Sequence, residues 1–90
     1  MAADQDRHPS PDTYAALFEL IGPFNKAEAM LAPETRFTED LNFDSLVVME
    51  FVAAVEDRFD ISIPLNILPD IATIADFAVA LEKLLPDQGR

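Results

Sequence analysis

Three segments of this chain begin with a residue that caps helices and continue with apolar side chains at helical spacing. Helices are predicted from Ser10-Pro11-Asp12 to Gly22-Pro23, from about Ser45 to Phe59 behind Asp44, and from Thr73, with Asp76 completing a capping box, to Pro86. A short helical turn is expected at Leu65 to Leu68, before Pro69. Three longer helices and one short one, all local in sequence, predict an all-α fold, a small four-helix bundle.

A long first loop joins the first two predicted helices. Residues 24–43 separate them, which is unusual in so small a domain. Asn25 to Glu28 has the pattern of a capping box, which predicts a short turn of helix through Leu31. Apolar residues that can pin the loop to the core are Phe24, Leu31, Phe37, Leu41 and Phe43. We expect a loop held in this way to be functional. Ile61 to Pro64 alternates like a strand, but Pro64 favours a connector.

The composition limits the location and the partners of the chain. We expect one folded domain over residues 10–86 of the 90, with polar tails at 1–9 and 87–90. Cysteine is absent, and the first residues lack the basic and apolar regions of a secretory signal. No apolar run could span a bilayer. These features predict a cytoplasmic monomer.

The chain is strongly acidic, with a formal net charge of −11 and a pI of about 4.1. Such a surface repels nucleic acid and anionic membranes, and it favours protein partners that have basic patches.

Ser45 follows Asp44 at the start of the second helix, where another enzyme could reach and modify it. A catalytic serine needs a base within hydrogen-bonding reach. The one histidine, His8, falls in the predicted tail, and nothing places Lys26 or Lys83 beside Ser45. The sequence therefore predicts no catalytic residues and a protein that is not an enzyme. Free amide groups at a helix start would, however, favour a phosphate on Ser45.

A calcium site is the main alternative use of this segment. Asp40, Asn42 and Asp44 match the opening of an EF-hand loop, but Ser45 replaces the required glycine and Phe51 replaces the bidentate glutamate. No metal is therefore expected.

An ordered series of motifs resembles the acyl carrier proteins. The residues that carry the resemblance are Pro33 to Leu46 (PETRFTEDLNFDSL), Met49-Glu50, Glu56-Asp57-Arg58-Phe59 and Ile63-Pro64. The series covers about residues 12 to 85. The resemblance implies that a phosphopantetheinyl transferase attaches 4′-phosphopantetheine from coenzyme A to Ser45. It also implies that acyl chains carried as thioesters are presented to loading, condensing and acyl-transfer enzymes of fatty-acid or related lipid synthesis.

The second helix would present the partner-binding surface. Candidate contacts are Asp44, Leu46, Met49, Glu50, Ala53, Glu56 and Asp57. The chain also departs from the family pattern. Asn42 stands where glycine is usual, although asparagine tolerates left-handed backbone. Val47, Val48 and Leu65 to Pro69 are apolar where relatives are often polar or acidic, and Arg58 interrupts an acidic cluster.

These departures favour a specialised carrier with a dedicated partner over the general carrier of fatty-acid synthesis. A partner that condenses the acyl group with an amino acid is one example. Two alternatives remain open: an aminoacyl or peptidyl carrier, and an acidic helical module that only binds a protein.

Overall fold

The computed structural model describes residues 9–26 and 28–85, which form an all-helical fold. Three α-helices are present: α1 (Pro11–Ile21), α2 (Ser45–Phe59) and α3 (Ile74–Leu84). A short 3₁₀ helix (Leu65–Asp70) lies between α2 and α3 and completes the predicted four-helix arrangement. No helix in this part of the chain is long and apolar enough to cross a membrane. Most of the two predicted tails, and Pro86, lie outside the described residues.

The predicted capping residues begin all three α-helices. The Ser10 hydroxyl accepts a hydrogen bond from the Thr13 amide at 3.2 Å, and Thr73 and Asp76 form a reciprocal capping box. At the start of α2, the Asp44 carboxylate accepts from the Val47 amide at 2.9 Å. Each cap satisfies an amide that has no partner inside its own helix, so these sequence signals are sufficient to fix where the helices begin.

The end of α1 lies where the sequence predicts it, with right-handed backbone at Gly22. The helix ends at Ile21, as expected, but Gly22 keeps right-handed backbone angles (φ −45°, ψ −54°). The chain then tightens into a 3₁₀ turn, Gly22–Phe24, which contains Pro23. Proline fits this turn because an early helical position needs no amide donor. The α-helix therefore stops at Gly22-Pro23, as predicted, and a 3₁₀ turn follows it.

The short helix predicted through Leu31 is wrong. Described residues between 25 and 31 are not helical, and Glu28 has a left-handed φ of 56°. The side chain of Asn25 instead spans the turn: its amide donates to the Ala29 carbonyl and its oxygen accepts from the Ala29 amide, at 2.9 and 3.0 Å. Asparagine can satisfy a turn as readily as a helix start, and here the turn is the outcome.

The segment between α2 and α3 is a connector, as predicted, but its helical part is longer than expected. Ile61 to Pro64 forms no strand. The 3₁₀ helix then runs past Leu68 to Asp70, with Pro69 inside it. Of the predicted apolar departures here, Leu65 is 54% exposed, whereas Ile67 and Leu68 pack against the core. Most of this apolar character therefore serves packing.

The core lies between the helices and is rich in phenylalanine. Phe51 is 1% exposed, and its ring contacts the rings of Phe37, Phe43 and Phe77 at centroid distances of 5.2–6.3 Å. Two apolar residues of α2, Val48 and Phe59, are only half-buried. The buried residues of this helix are Phe51, Val52 and Val55.

The first loop is pinned to the start of α3 as well as to the core. The Phe37 amide donates to the Ala72 carbonyl at 3.0 Å, and the Ile74 amide donates to the Thr35 carbonyl at 2.9 Å. Phe37, Leu41 and Phe43 are buried, as the sequence predicted. The loop and the start of α3 therefore form one hydrogen-bonded unit that faces the first turns of α2.

Candidate functional site

Ser45 is the first residue of α2, and the preceding loop determines its position. Leu41 and Phe43 anchor the loop in the core, while Asn42 between them has a φ of 60°. This left-handed conformation is the one expected where asparagine replaces glycine. Asp44 then caps the helix, and Ser45 is exposed to solvent. An enzyme can therefore approach the Ser45 hydroxyl without local unfolding.

The backbone around Ser45 favours an anionic group. Residues in the first turn of a helix have amides without intrahelical acceptors. Asp44 satisfies the amide of Val47, which leaves those of Ser45 and Leu46 directed out of the helix start. These amides and the helix dipole favour a phosphate at this end, so Ser45 and its surroundings fit a phosphodiester-linked group.

An exposed strip on α2 begins beside Ser45. Leu46 is 66% exposed and Met49 is 43% exposed. Glu50, Ala53 and Asp57 are also exposed and recur at helical spacing. We call these five residues the α2 strip. It brings together apolar and acidic side chains predicted to contact partners, and Asp44 lies exposed at its beginning.

Two charged residues of α2 make contacts within the molecule. Glu56 is half-buried, and its carboxylate accepts a hydrogen bond from the Ile63 amide at 2.7 Å. Arg58 forms an ion pair with Glu19 of α1 at 3.1 Å. Glu56 therefore differs from the other predicted partner contacts, because it holds the connector in place.

An apolar cavity of about 140 Å³ opens one turn beyond Ser45. It lies among the first loop, α2 and the α3 side of the fold, and its lining residues are Phe37, Thr38, Val48, Phe51, Leu68, Ile71 and Phe77. Val48 is three residues after Ser45, so both lie near one side of α2. The cavity can bury a small apolar group that arrives from the Ser45 end.

Sequence reasoning did not identify this cavity. Thr38, Leu68, Ile71 and Phe77 come from three separate segments and share no local motif. Apolar periodicity identifies a residue as inward-facing, but it does not distinguish filled core from a cavity wall.

The calcium-like pattern does not assemble into a cluster of ligands. The Asp40 carboxylate accepts from the Arg36 amide at 2.8 Å, and the Asp44 carboxylate caps α2. Within residues 9–26 and 28–85, no group of three or more histidine or acidic side chains is placed to hold a metal ion.

Among the described residues near the cavity, Asp76 is the only acidic side chain whose pKa is shifted. Hydrogen bonds from the Ala72 and Thr73 amides lower the pKa of the Asp76 carboxyl. This carboxylate stabilises the same segment, before α3, that carries Ile71 of the cavity wall.

Comparison with known proteins gives consistent matches. The family model described as “Phosphopantetheine attachment site” matches residues 15–81. An acyl carrier protein of Sulfurovum sp. is 43% identical over 65 residues, which cover 72% of this chain and 87% of that protein. A meromycolate extension acyl carrier protein of Mycolicibacterium smegmatis is 32% identical over 85 residues, covering 93% and 81%.

A solved structure from Mycobacterium tuberculosis, named as an acyl carrier protein, has a similar fold. Its TM-score is 0.72 at 24% identity, and the match covers 79% of this chain and 96% of the solved one. The helical architecture described above is therefore that of a known carrier fold.

Proposed function

The chain belongs to the acyl carrier proteins, whose phosphopantetheine is attached covalently, and from this membership we propose that Ser45 is the attachment site. The observation that supports the proposal is the exposed hydroxyl of Ser45 at the capped start of α2. The other described serines, Ser10 and Ser62, lack this combination: Ser10 is itself a helix cap, and Ser62 lies in the connector.

A phosphopantetheinyl transferase would carry out the modification. The Ser45 Oγ would bond to the coenzyme A phosphorus that carries pantetheine as the pyrophosphate linkage breaks. The nucleotide half would leave, and the hydroxyl proton would pass to a base on the transferase. The amides of Ser45 and Leu46 favour the new negative charge. When bound, the group supplies the thiol that this cysteine-free chain lacks.

We propose that the protein is a carrier and has no catalytic activity of its own. Its residues hold the attachment site, bury part of the acyl cargo and present it to other enzymes. The 140 Å³ cavity is apolar and opens near Ser45, which supports a role in shielding part of an acyl chain. The arm attached to Ser45 would have to fold back toward α2 for the cargo to enter the mouth of this cavity.

The α2 strip is the surface proposed to contact partner enzymes. Leu46 and Met49 would supply apolar contact, and Glu50 and Asp57 would attract basic patches on the partner. Asp44 would contribute charge beside the attachment site. Glu56 is a weaker candidate because its carboxylate already accepts the Ile63 amide. The net charge of −11 supports rapid association with basic surfaces.

The pathway is proposed to be lipid synthesis with a dedicated partner. The meromycolate extension carriers of mycobacteria, whose names indicate specialised roles, support this version. Exposed Leu65 is the apolar departure that a dedicated partner would contact. Brisk turnover of the loaded protein by a general elongating ketosynthase would contradict the specialised role and leave the carrier role intact.

Mass measurement after enzymatic modification tests the attachment site. The purified protein would be incubated with coenzyme A, magnesium and a broad-specificity transferase, and its intact mass recorded. We expect a gain of one phosphopantetheinyl group, its loss in Ser45→Ala, and its retention in the matched control Ser62→Ala. Modification that persists in Ser45→Ala would overturn the assignment. No modification, with a transferase active on another carrier, would leave two explanations: a very selective cognate transferase or the interaction module.

The aminoacyl or peptidyl alternative is tested by loading. An adenylating enzyme that charges the modified protein with an amino acid would support it. Cytoplasmic location, a monomeric state and the two tails remain predictions.

A further inference from the structure

We infer that the aromatic floor formed by Phe37, Phe51 and Phe77 limits the length of acyl chain that this protein can bury to about six carbons. The inference rests on the proposed function, because it assumes that the cargo enters the cavity from Ser45. It specifies the class of cargo that is fully shielded: short acyl groups. Longer chains would be shielded only over about six carbons at their far end, with the carbons next to the thioester outside the mouth.

The exposure of the lining residues distinguishes the open end of the cavity from its deep end. Thr38 is exposed, and Val48, Leu68 and Ile71 are half-buried, so these residues form the mouth. The three phenylalanines are at most 7% exposed and form the deep end. A chain that enters beside Val48 therefore meets aromatic rings after it passes one turn of α2.

The floor is a closed group of rings. Phe51 and Phe77 have centroids 5.2 Å apart, Phe37 lies 5.6 Å from Phe51, and Phe37 lies 6.0 Å from Phe77. Each ring contacts both others, so moving one aside disturbs two aromatic contacts. Aromatic contacts of this kind stabilise a core beyond the area that they bury, so displacing a ring is unfavourable.

The rings of the floor belong to the buried core. Ile74, Leu81 and Val55 are each at most 1% exposed and belong to the same core cluster. Protein cores are close-packed, so a longer chain cannot pass the rings without repacking this cluster. The volume in front of the floor, about 140 Å³, is close to that of an engineered cavity of about 150 Å³ that takes benzene, which has six carbons.

Thermal unfolding of a series of acylated proteins tests the limit. The modified protein would be loaded with straight acyl chains of about two to fourteen carbons, and its Tm and the resistance of the thioester to hydroxylamine measured. We expect both quantities to rise with each buried methylene up to about six carbons and then to level off. A steady rise to the longest chain would overturn the inference.

Variants identify the residues responsible. We call the acyl chain length at which Tm stops rising the levelling point. Phe77→Leu has fewer side-chain carbons at the floor, so its levelling point should lie about two carbons higher. Leu68→Phe adds bulk at the mouth, so its levelling point should move to shorter chains. Phe43→Leu is the matched control, because Phe43 lies in the same ring cluster but lines a different groove, with Phe24 and Val47. An unchanged levelling point in both Phe77→Leu and Leu68→Phe would overturn the inference.

A second route separates the cavity from the attachment chemistry. Because the chain has no cysteine, Ser45→Cys provides a unique thiol. Maleimides that carry a spacer of pantetheine length and alkyl chains of increasing length would be attached to it. The same levelling point in Tm is expected. Failure of the transferase to modify Ser45 would count against the proposed function, whereas a Tm in this series that never levels off would count against the aromatic floor.

Discussion

The carboxylate of Glu56 in α2 accepts a hydrogen bond from the backbone amide of Ile63, 2.7 Å away in the connector. Ile63 is buried, so this amide has little access to water. The contact joins the end of α2 to the segment that leads to the cavity wall. Glu56 therefore has a structural role, whereas its neighbour Asp57 is exposed on the α2 strip.

Glu56→Ala should therefore lower the free energy of unfolding by about 1–3 kcal/mol, since it leaves a buried amide without an acceptor. Asp57→Ala, the matched control, should change stability by less than about 0.5 kcal/mol. Urea denaturation measures both. Binding to a basic partner enzyme should show the reverse order, with the larger loss in Asp57→Ala. Equal stability of the two variants would contradict the structural role of Glu56.

The two phenylalanines of α2 should differ in their effect on stability. Phe51 is 1% exposed and contacts four other rings, so Phe51→Ala should cost about 3–5 kcal/mol. Phe59 is only half-buried, and Phe59→Ala should cost about 1–2 kcal/mol. Thermal unfolding followed by circular dichroism makes the comparison. A greater loss for Phe59→Ala would show that the packing described here is wrong.

The left-handed backbone at Asn42 should control which residues the loop accepts. With φ at 60°, Asn42→Gly should retain stability, whereas Asn42→Val should lose about 1–2 kcal/mol. Because Asn42 lies three residues before Ser45, Asn42→Val should also slow modification by the transferase. Denaturation and the rate of mass gain are the two measurements. Glu34→Val, at an exposed site in the same loop without left-handed backbone, is a control for β-branching alone.

Asp76 should make the stability of the fold sensitive to acid. Backbone hydrogen bonds lower the pKa of its carboxyl in the folded state, so the carboxylate stabilises the protein above its unfolded pKa of about 3.9. This contribution is lost as pH falls through the lower, folded pKa. Asp76→Ala should therefore reduce stability near pH 7 by about 1 kcal/mol, as for loss of a cap, and by less in strong acid.

Urea denaturation at several pH values tests the acid dependence. Asp57→Ala again serves as the control, because no comparable backbone contacts surround that exposed side chain. A difference between Asp76→Ala and the parent protein that stays constant down to strong acid would contradict the hydrogen-bonded role of the carboxylate.

The caps and the apolar spacing determined the helices from sequence alone. Ser10, Asp44 and Thr73 act on amides within three residues, so local chemistry is enough to fix each helix start. The same local reasoning placed Ser45 on an accessible helix end and explained how Asn42 could replace glycine. It also predicted that buried phenylalanines would hold the first loop.

The tertiary structure alone determined the side-chain roles and the cavity that depend on contacts outside the local sequence. Asn25 had two local uses, a cap or a turn, and its bonds to Ala29 selected the turn. In the sequence Glu56 resembles its acidic neighbours, but in the fold its carboxylate accepts a hydrogen bond from the Ile63 amide. The cavity is the clearest case: Phe37, Phe51 and Phe77 come from a loop and two helices, and the space in front of them exists only where those elements meet. Periodicity determines which side chains face inward, whereas the packing of separate elements determines how much room they leave.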